Sequence, residues 1–250
     1  MEKISIKNSY KEKLAGIFYK HSGSKKLIIV CHGRLTNKDQ YFIPELCKKI
    51  NKSGFNAYRF DFSGNGQSWG KFEECTITKD VKDIKSVVKF FKGKNYEVYC
   101  LIGHSMGAVE VLLHQAKYNS AKRIVDIAGL VNQKDMTANN CSKDQIKELN
   151  KKGFFKIKHK GKYFNISKKY FCDRLSYGDI RKFVKKIKTP VLVVHGTKDE
   201  EIGFNNSKLM IRSLNKKSKM AAIKGAGHFF DYKKHRNEMM RSIIKWLKNE

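Results

Sequence analysis

The sequence predicts an α/β fold: a mostly parallel, eight-stranded sheet with helices on both faces and a small cap inserted over one edge. Three observations carry this. Short apolar, β-branched and aromatic runs alternate with helix-length amphipathic stretches, the rhythm of a doubly wound sheet. Several of those runs are apolar almost throughout, as in strands buried on both faces. A chain of 250 residues, 40% apolar and 12% aromatic, with 18 glycines against 2 prolines, can bury a large core without disulfides or metals.

Taken in order, Ile4 to Lys7 and Leu14 to Tyr19 read as short antiparallel strands ahead of the main pattern. Leu27 to Cys31, Phe55 to Phe60, Val98 to Ile102, Ile124 to Ile127 and Val191 to Val194 read as the core strands, and residues 219 to 223 as a last one. Helices are expected over Pro44 to Lys52, Ile77 to Phe91, Ala108 to Tyr118, Asn205 to Leu214 and Lys233 to Leu247. In the last of these, Met239, Ile243, Ile244 and Leu247 can share one face. Between Gly129 and Thr189 the rhythm changes. A helical stretch, Lys143 to Lys152, precedes Phe154 to His159 and Tyr163 to Ile166, which read as a hairpin turning at Gly161-Lys162. We therefore expect one domain, 1–250, with residues 130–188 as an inserted cap.

The charge is extreme: 53 Lys and Arg against 23 Asp and Glu give +30. The lysines run along nearly the whole chain, with the densest surplus in residues 141–190. That spread reads first as general lysine enrichment, and second as attraction for acidic substrates or peripheral contact with an anionic membrane. No recognition helix, RNP-like strand or zinc module supports specific nucleic-acid binding. The 6 cysteines are widely spaced without a C-x-x-C pair, and Cys31 and Cys100 lie within apolar runs as buried thiols do. With no apolar leader at the start and no stretch near 18 apolar residues, a cytoplasmic protein is expected, monomer or homodimer.

The strongest local signal is Gly103-His104-Ser105-Met106-Gly107, set between a predicted strand and a predicted helix. Small residues either side of Ser105 allow a sharp turn that lifts its hydroxyl above the sheet. A serine needs a base and a group to orient that base. His228, in Gly225-Ala226-Gly227-His228-Phe229, and Asp199, in His195-Gly196-Thr197-Lys198-Asp199, both follow strands, where an open sheet gathers its ligands. Glu200 and Glu201 beside Asp199 are alternative orienting groups. Cys31-His32-Gly33-Arg34-Leu35 follows a strand at the same rim, so backbone N–H groups of Arg34 and Met106 can face developing negative charge. The Arg34 side chain could meet a substrate carboxylate or phenolic group, or simply be solvated. His32, His104 and His195 read as loop-packing groups. Their spacing suits no metal, neither a phosphate loop nor a dinucleotide fingerprint is present, and no cofactor is expected. Asp61 to Ser68, rich in turn formers, reads as a loop-shaping element.

With these residues in place, the chain resembles the α/β-hydrolase superfamily over nearly its whole length. The His32-Gly33 loop, Arg59 to Ser68, Gly103 to Gly107, His195 to Asp199 and Gly227-His228 match that pattern in order. The chain is similar to small cinnamoyl and feruloyl esterases, and to monoacylglycerol lipase or serine-aminopeptidase-like proteins. The resemblance implies an α/β-hydrolase fold and acyl-bond hydrolysis by Ser105, His228 and Asp199, with Arg34 and Met106 as the oxyanion hole. It also implies a cap shaping the pocket, with Phe154, Phe155, Tyr163, Phe164, Tyr170 and Phe171 available to line it. At His32 to Asn37 this chain has H-G-R-L-T-N where those esterases commonly have an H-G-F-T-G-N-like segment, which turns the expectation from phenolic towards lipid-like esters. The leading expectation is a serine carboxylesterase or lipase-like hydrolase of small acyl esters. A thioesterase, an amidase, a feruloyl esterase and a non-enzymatic binding protein on the same scaffold are the alternatives.

Overall fold

Each apolar run read as a strand pairs into a sheet in the computed structural model, which describes residues 1–135, 141–159 and 161–249. The strands are β1 (Glu2–Lys7), β2 (Lys13–Tyr19), β3 (Lys26–Cys31), β4 (Asn56–Phe60), β5 (Glu97–His104), β6 (Arg123–Ile127), β7 (Phe154–His159), β8 (Lys162–Ser167), β9 (Val191–Gly196) and β10 (Lys219–Ile223). The helices are α1 (Ile43–Lys52), α2 (Ile77–Lys92), α3 (Met106–Tyr118), α4 (Lys143–Lys152), α5 (Lys168–Tyr177), α6 (Arg181–Val184), α7 (Asn205–Ser213) and α8 (Lys233–Lys248), with a 3₁₀ turn at Phe72–Glu74.

The main sheet has the order β1-β2-β4-β3-β5-β6-β9-β10. β2 pairs antiparallel with both β1 and β4, and the remaining pairings are parallel. From β3 the chain crosses to β4 on one side and then returns to β5 on the other. That reversal opens a crevice at the carboxyl ends of β3 and β5, where ligands of such sheets bind.

Strand alternation divides the core. Leu27, Ile29, Leu101, Ile124, Val191 and Val193 point to the face covered by α2, α3, α6 and α7. Ile28, Val30, Cys100, Ile102, Val125, Leu192 and Val194 point to the face covered by α1 and α8. Since both faces are buried, these strands carry apolar residues at nearly every position. All 6 cysteines are free, with Cys31 and Cys100 buried.

Between β6 and β9 the chain leaves this pattern. Of residues 130–188, positions 136–140 and 160 lie outside the described residues. α4 starts with a capping box: Ser142 Oγ accepts from Gln145 N at 3.1 Å, and Ser142 N donates to Gln145 Oε1 at 2.9 Å. β7 and β8 form the expected antiparallel hairpin. Neither α5 nor α6 was anticipated. α5 is marked by Ser167, whose hydroxyl accepts from Tyr170 N at 3.1 Å, but it buries Arg174 beside Tyr170 and Phe171 and so lacks a clean apolar stripe. Leu149, Phe155, Ile166, Tyr170 and Phe171 form a satellite core that closes on Met106, the first residue of α3.

Backbone approach is tightest where β5 turns into α3. A Cβ on Gly103 would lie 2.1 Å from Gly107 O, and one on Gly107 would lie 2.5 Å from His32 O. Gly103→Ala should therefore destabilise the fold by about 1–3 kcal/mol through overpacking, read as a lowered urea midpoint at unchanged slope. An unchanged midpoint would refute the close approach.

Asp126, fully buried on β6, accepts from Gly129 N at 2.8 Å through Oδ1, while its Oδ2 has no partner among the described residues. Burial pushes its carboxyl up from 3.8 to about 6, opposed by the nearby His195 and the Gly129 bond. The folded chain thus holds this proton more tightly than the unfolded one, and stability is lost as pH rises from about 4 through about 6. Asp126→Asn should remove a pH dependence on the order of 3 kcal/mol between pH 4 and 7, measured as the difference between wild-type and variant denaturation curves. Parallel wild-type and variant profiles would refute it.

Candidate active site

Ser105 stands between the last residue of β5 and the first of α3 at φ 57° and ψ −116°, a backbone conformation that costs a non-glycine residue energy. The turn is held because Ser105 N donates to Ile127 O, at the end of β6, at 2.8 Å. Although Ser105 occupies the N-cap position of α3, its side chain makes no capping hydrogen bond. The hydroxyl is left for other work. Gly33, in the loop after the neighbouring β3, passes so close that a Cβ there would lie 3.1 Å from Ser105 Cβ.

Asp199 follows β9 and His228 follows β10. His228 Nδ1 donates to Asp199 Oδ2 at 2.8 Å, which leaves Nε2 as the basic nitrogen. The other carboxylate oxygen, Oδ1, accepts from the backbone N–H groups of Ile202 at 2.8 Å and Glu201 at 3.0 Å. His195 Nε2, which donates to Ile202 O at 2.8 Å, lies 3.1 Å from Asp199 Oδ2. Burial would raise the Asp199 carboxyl, but the bonds from His195 and His228 outweigh it and hold it well below the usual carboxylate range. Glu201 approaches the opposite side of the ring, with Oε2 3.9 Å from His228 Nε2. Of the acids considered, Asp199 is the one that orients the imidazole.

His104 donates from Nε2 to His228 O at 3.1 Å, and the two rings lie 4.8 Å apart. Burial, reinforced by the neighbouring His228, pushes His104 down to about 3, so it stays neutral beside its partner. His32 ties two loops together: Nδ1 donates to Gly33 O at 2.8 Å, and Nε2 accepts from Phe62 N at 3.1 Å. The same loops are clamped by a buried ion pair. Lys38 Nζ and Asp61 Oδ2 are 2.9 Å apart, with side chains 2% and 0% exposed, and Lys38 N donates to Asp61 Oδ1 at 2.7 Å. The Asp61 to Ser68 segment thus shapes the loop after β3 through a lysine that the sequence reading passed over. Within that loop and at the start of α3, the backbone N–H groups of Arg34 and Met106 have no hydrogen-bond partner among the described residues.

Ser105, Met106, Arg34 and His228 share a cavity of about 130 Å³, with Asp199 directly behind His228. None of the six aromatics expected to line the pocket is in its wall. Phe155, Tyr170 and Phe171 pack into the satellite core, Phe164 sits against Phe72 at 5.0 Å, Tyr163 is 68% exposed, and Phe154 is half-buried outside the cavity lining. Alternation along the hairpin and its packing on the 3₁₀ turn decide this, and neither is visible in a list of aromatic residues. The insertion contributes His159 and Arg174 instead, while Leu130, Ile202 and Phe229 supply apolar wall. The available signal for Arg174 was its place four residues after Tyr170 on a Ser167-capped helix. Among the described residues, no cluster of three His, Cys, Asp or Glu side chains is arranged to hold a metal.

Known proteins share this architecture. The chain is 28% identical over 220 residues to the mitochondrial palmitoyl-protein thioesterase ABHD10 of Bos taurus, covering 82% of this chain and 67% of the bovine one. It is 25% identical over 231 residues to human alpha/beta hydrolase domain-containing protein 17B, covering 91% and 69%. The fold superimposes on Est1E from Butyrivibrio proteoclasticus, solved with ferulic acid, with a TM-score of 0.81 at 22% identity, covering 98% and 96%. Mouse alpha/beta hydrolase domain-containing protein 10 gives 0.78 at 22% identity, covering 99% and 98%. A model of the family described as "Serine aminopeptidase, S33" matches residues 22–162, more than half of the sequence, and the chain belongs to this family of α/β-hydrolases.

Proposed function

We propose that this α/β-hydrolase is a serine carboxylesterase acting on small acyl esters through an acyl-enzyme. One observation carries the reading: Ser105, on its strained turn, shares a cavity with His228, whose Nδ1 is 2.8 Å from the buried Asp199. In this reading Ser105 Oγ attacks the carbonyl carbon while His228 Nε2 takes its proton. Asp199 stabilises the imidazolium, and the free N–H groups of Arg34 and Met106 receive the oxyanion. The imidazolium returns the proton to the leaving alkoxide. Water activated by the same histidine then attacks the acyl-enzyme, releasing the acid and restoring Ser105.

The cavity favours short acyl groups, because about 130 Å³ is well below the ~300–1,000 Å³ of pockets that hold drug-sized ligands. Thioester cleavage is the second reading. It is favoured by the similarity to the bovine protein named a palmitoyl-protein thioesterase, and it uses the same acyl-enzyme. A chain as long as palmitoyl would need the segment between β6 and β9 to move. No helix among the described residues is long and apolar enough to cross a membrane. The basic surface would support peripheral contact with an anionic membrane.

A panel of acetyl, butyryl, long-chain glyceryl and hydroxycinnamoyl esters, run beside the matching thioesters, should show turnover that Ser105→Ala abolishes together with fluorophosphonate labelling. Asp199→Asn should keep the fold and lower kcat by about 10⁴-fold. Folded wild-type protein that neither turns over any member nor takes the label would sink the proposal.

A further inference from the structure

Arg174 is the least expected residue in the cavity wall. It sits on α5 and is 2% exposed. Its hydrogen-bond partners are all neutral: Nη1 donates to Met106 Sδ at 2.7 Å and to Tyr170 Oη at 2.9 Å, and Nη2 donates to Gln133 Oε1 at 2.6 Å. Nε has no partner, and no carboxylate among the described residues lies within ion-pair distance of the guanidinium. Buried acids are near, but they do not balance it. Asp80 is pushed well above the usual carboxylate range by burial and by Asp83, and Glu110 by burial and by Asp80, with Arg174 only partly opposing this for Glu110. Glu201, the acid in the cavity wall, is 55% exposed and stands beside His228.

An arginine cannot shed its charge, and burying one without a counter-ion is costly. Here a guanidinium with no carboxylate of the described residues within ion-pair distance borders the cavity that holds Ser105, and it touches Met106, the residue after the nucleophile. Arg34 borders the same space and adds to its positive character. Apolar wall is confined to a few residues, and the room suits a chain of only a few carbons.

Building on the esterase reading, we propose that the preferred substrate is a short acyl ester carrying a carboxylate a few carbons from the scissile bond, with Arg174 as the receptor for that carboxylate. For a half-ester such as monoethyl glutarate the reaction consumes one water and gives glutarate, ethanol and a proton. The carboxylate supplies a counter-charge to the guanidinium, and desolvation inside the cavity strengthens that bond.

The test compares kcat/KM for monoethyl glutarate, with the carboxylate on the acyl side, and for 4-acetoxybutyrate, with it on the alcohol side. Each is measured against a neutral isostere, ethyl 5-methylhexanoate for the first. A charge-assisted bond of this kind predicts a preference of about 10- to 100-fold for at least one carboxylate substrate, and the two arms show which side carries it. Arg174→Met should collapse that ratio towards one through KM, and Arg174→Lys should restore part of it. Because Arg174 also packs against Tyr170 and Met106, a measurement on the unaltered protein accompanies the variants. Glutarate should inhibit neutral-ester hydrolysis competitively, and glutaramide should not. Equal kcat/KM for charged and neutral esters, with no inhibition by glutarate, would overturn the proposal while leaving the esterase reading intact. Loss of all turnover and of fluorophosphonate labelling would instead overturn the esterase reading on which it rests.

Discussion

Everything at the rim depends on one steric constraint, the left-handed turn at Ser105. β5 and α3 meet so closely that neither Gly103 nor Gly107 can carry a Cβ, and α3 in turn presses on the loop after β3 at His32. A serine at φ 57° costs on the order of 1–3 kcal/mol, and the bond to Ile127 O together with the packing of two central elements offsets it. The strain has a direction. It lifts the serine side chain out of its capping position and into the crevice formed where the strand order reverses between β3 and β5. The same close approach sets Gly33 against Ser105, so the loop bearing Arg34 is positioned by the turn it serves.

Around this turn the fold places its buried charges in compensated sets. Asp199 is shared between two imidazoles and two backbone N–H groups, which keeps it ionised despite burial. Asp61 is shared between the ammonium and the backbone of Lys38 and the backbone N–H of Gln67 at 2.9 Å. Removing one member of such a set leaves the other uncompensated, which is why these pairs fix loop geometry more than they add stability. His104 and His32 are held neutral by burial, so they serve as rigid hydrogen-bonding spacers and do not compete for protons with His228.

The parts of the fold visible in the sequence are those set by local sterics and by two-sided burial. The runs from Leu27, Val98 and Val191 are apolar at successive positions because each alternate residue meets a different helical layer, and that signature needs no tertiary information. The Ser105 turn was equally visible, since the glycines it needs lie within two residues of it. Asp199 and His228 could be placed because each follows a strand whose carboxyl end must face the same rim. What escaped depends on contacts distant in sequence. Lys38 meets Asp61 across 23 positions, and Arg174 meets Gln133 across 41. The aromatics of the hairpin carried the right composition for a pocket wall, but Phe155 was claimed by the satellite core and Phe164 by Phe72. Composition located the insertion without deciding which of its side chains faces the nucleophile.

The formal charge of +30 takes on different meanings at different depths. On the surface, lysines spread along the chain are solvated and screened within about 8 Å at physiological salt, so they act on encounter more than on binding. Inside, each cation must be accounted for, and Lys38 meets that requirement with Asp61. Arg174 does not meet it within the described residues, and it borders the cavity that holds Ser105. The basic surface would raise the local concentration of anionic esters, and the guanidinium behind Met106 would select among them. Both effects favour the same sign of substrate, which joins the composition of the chain to the chemistry of its cavity.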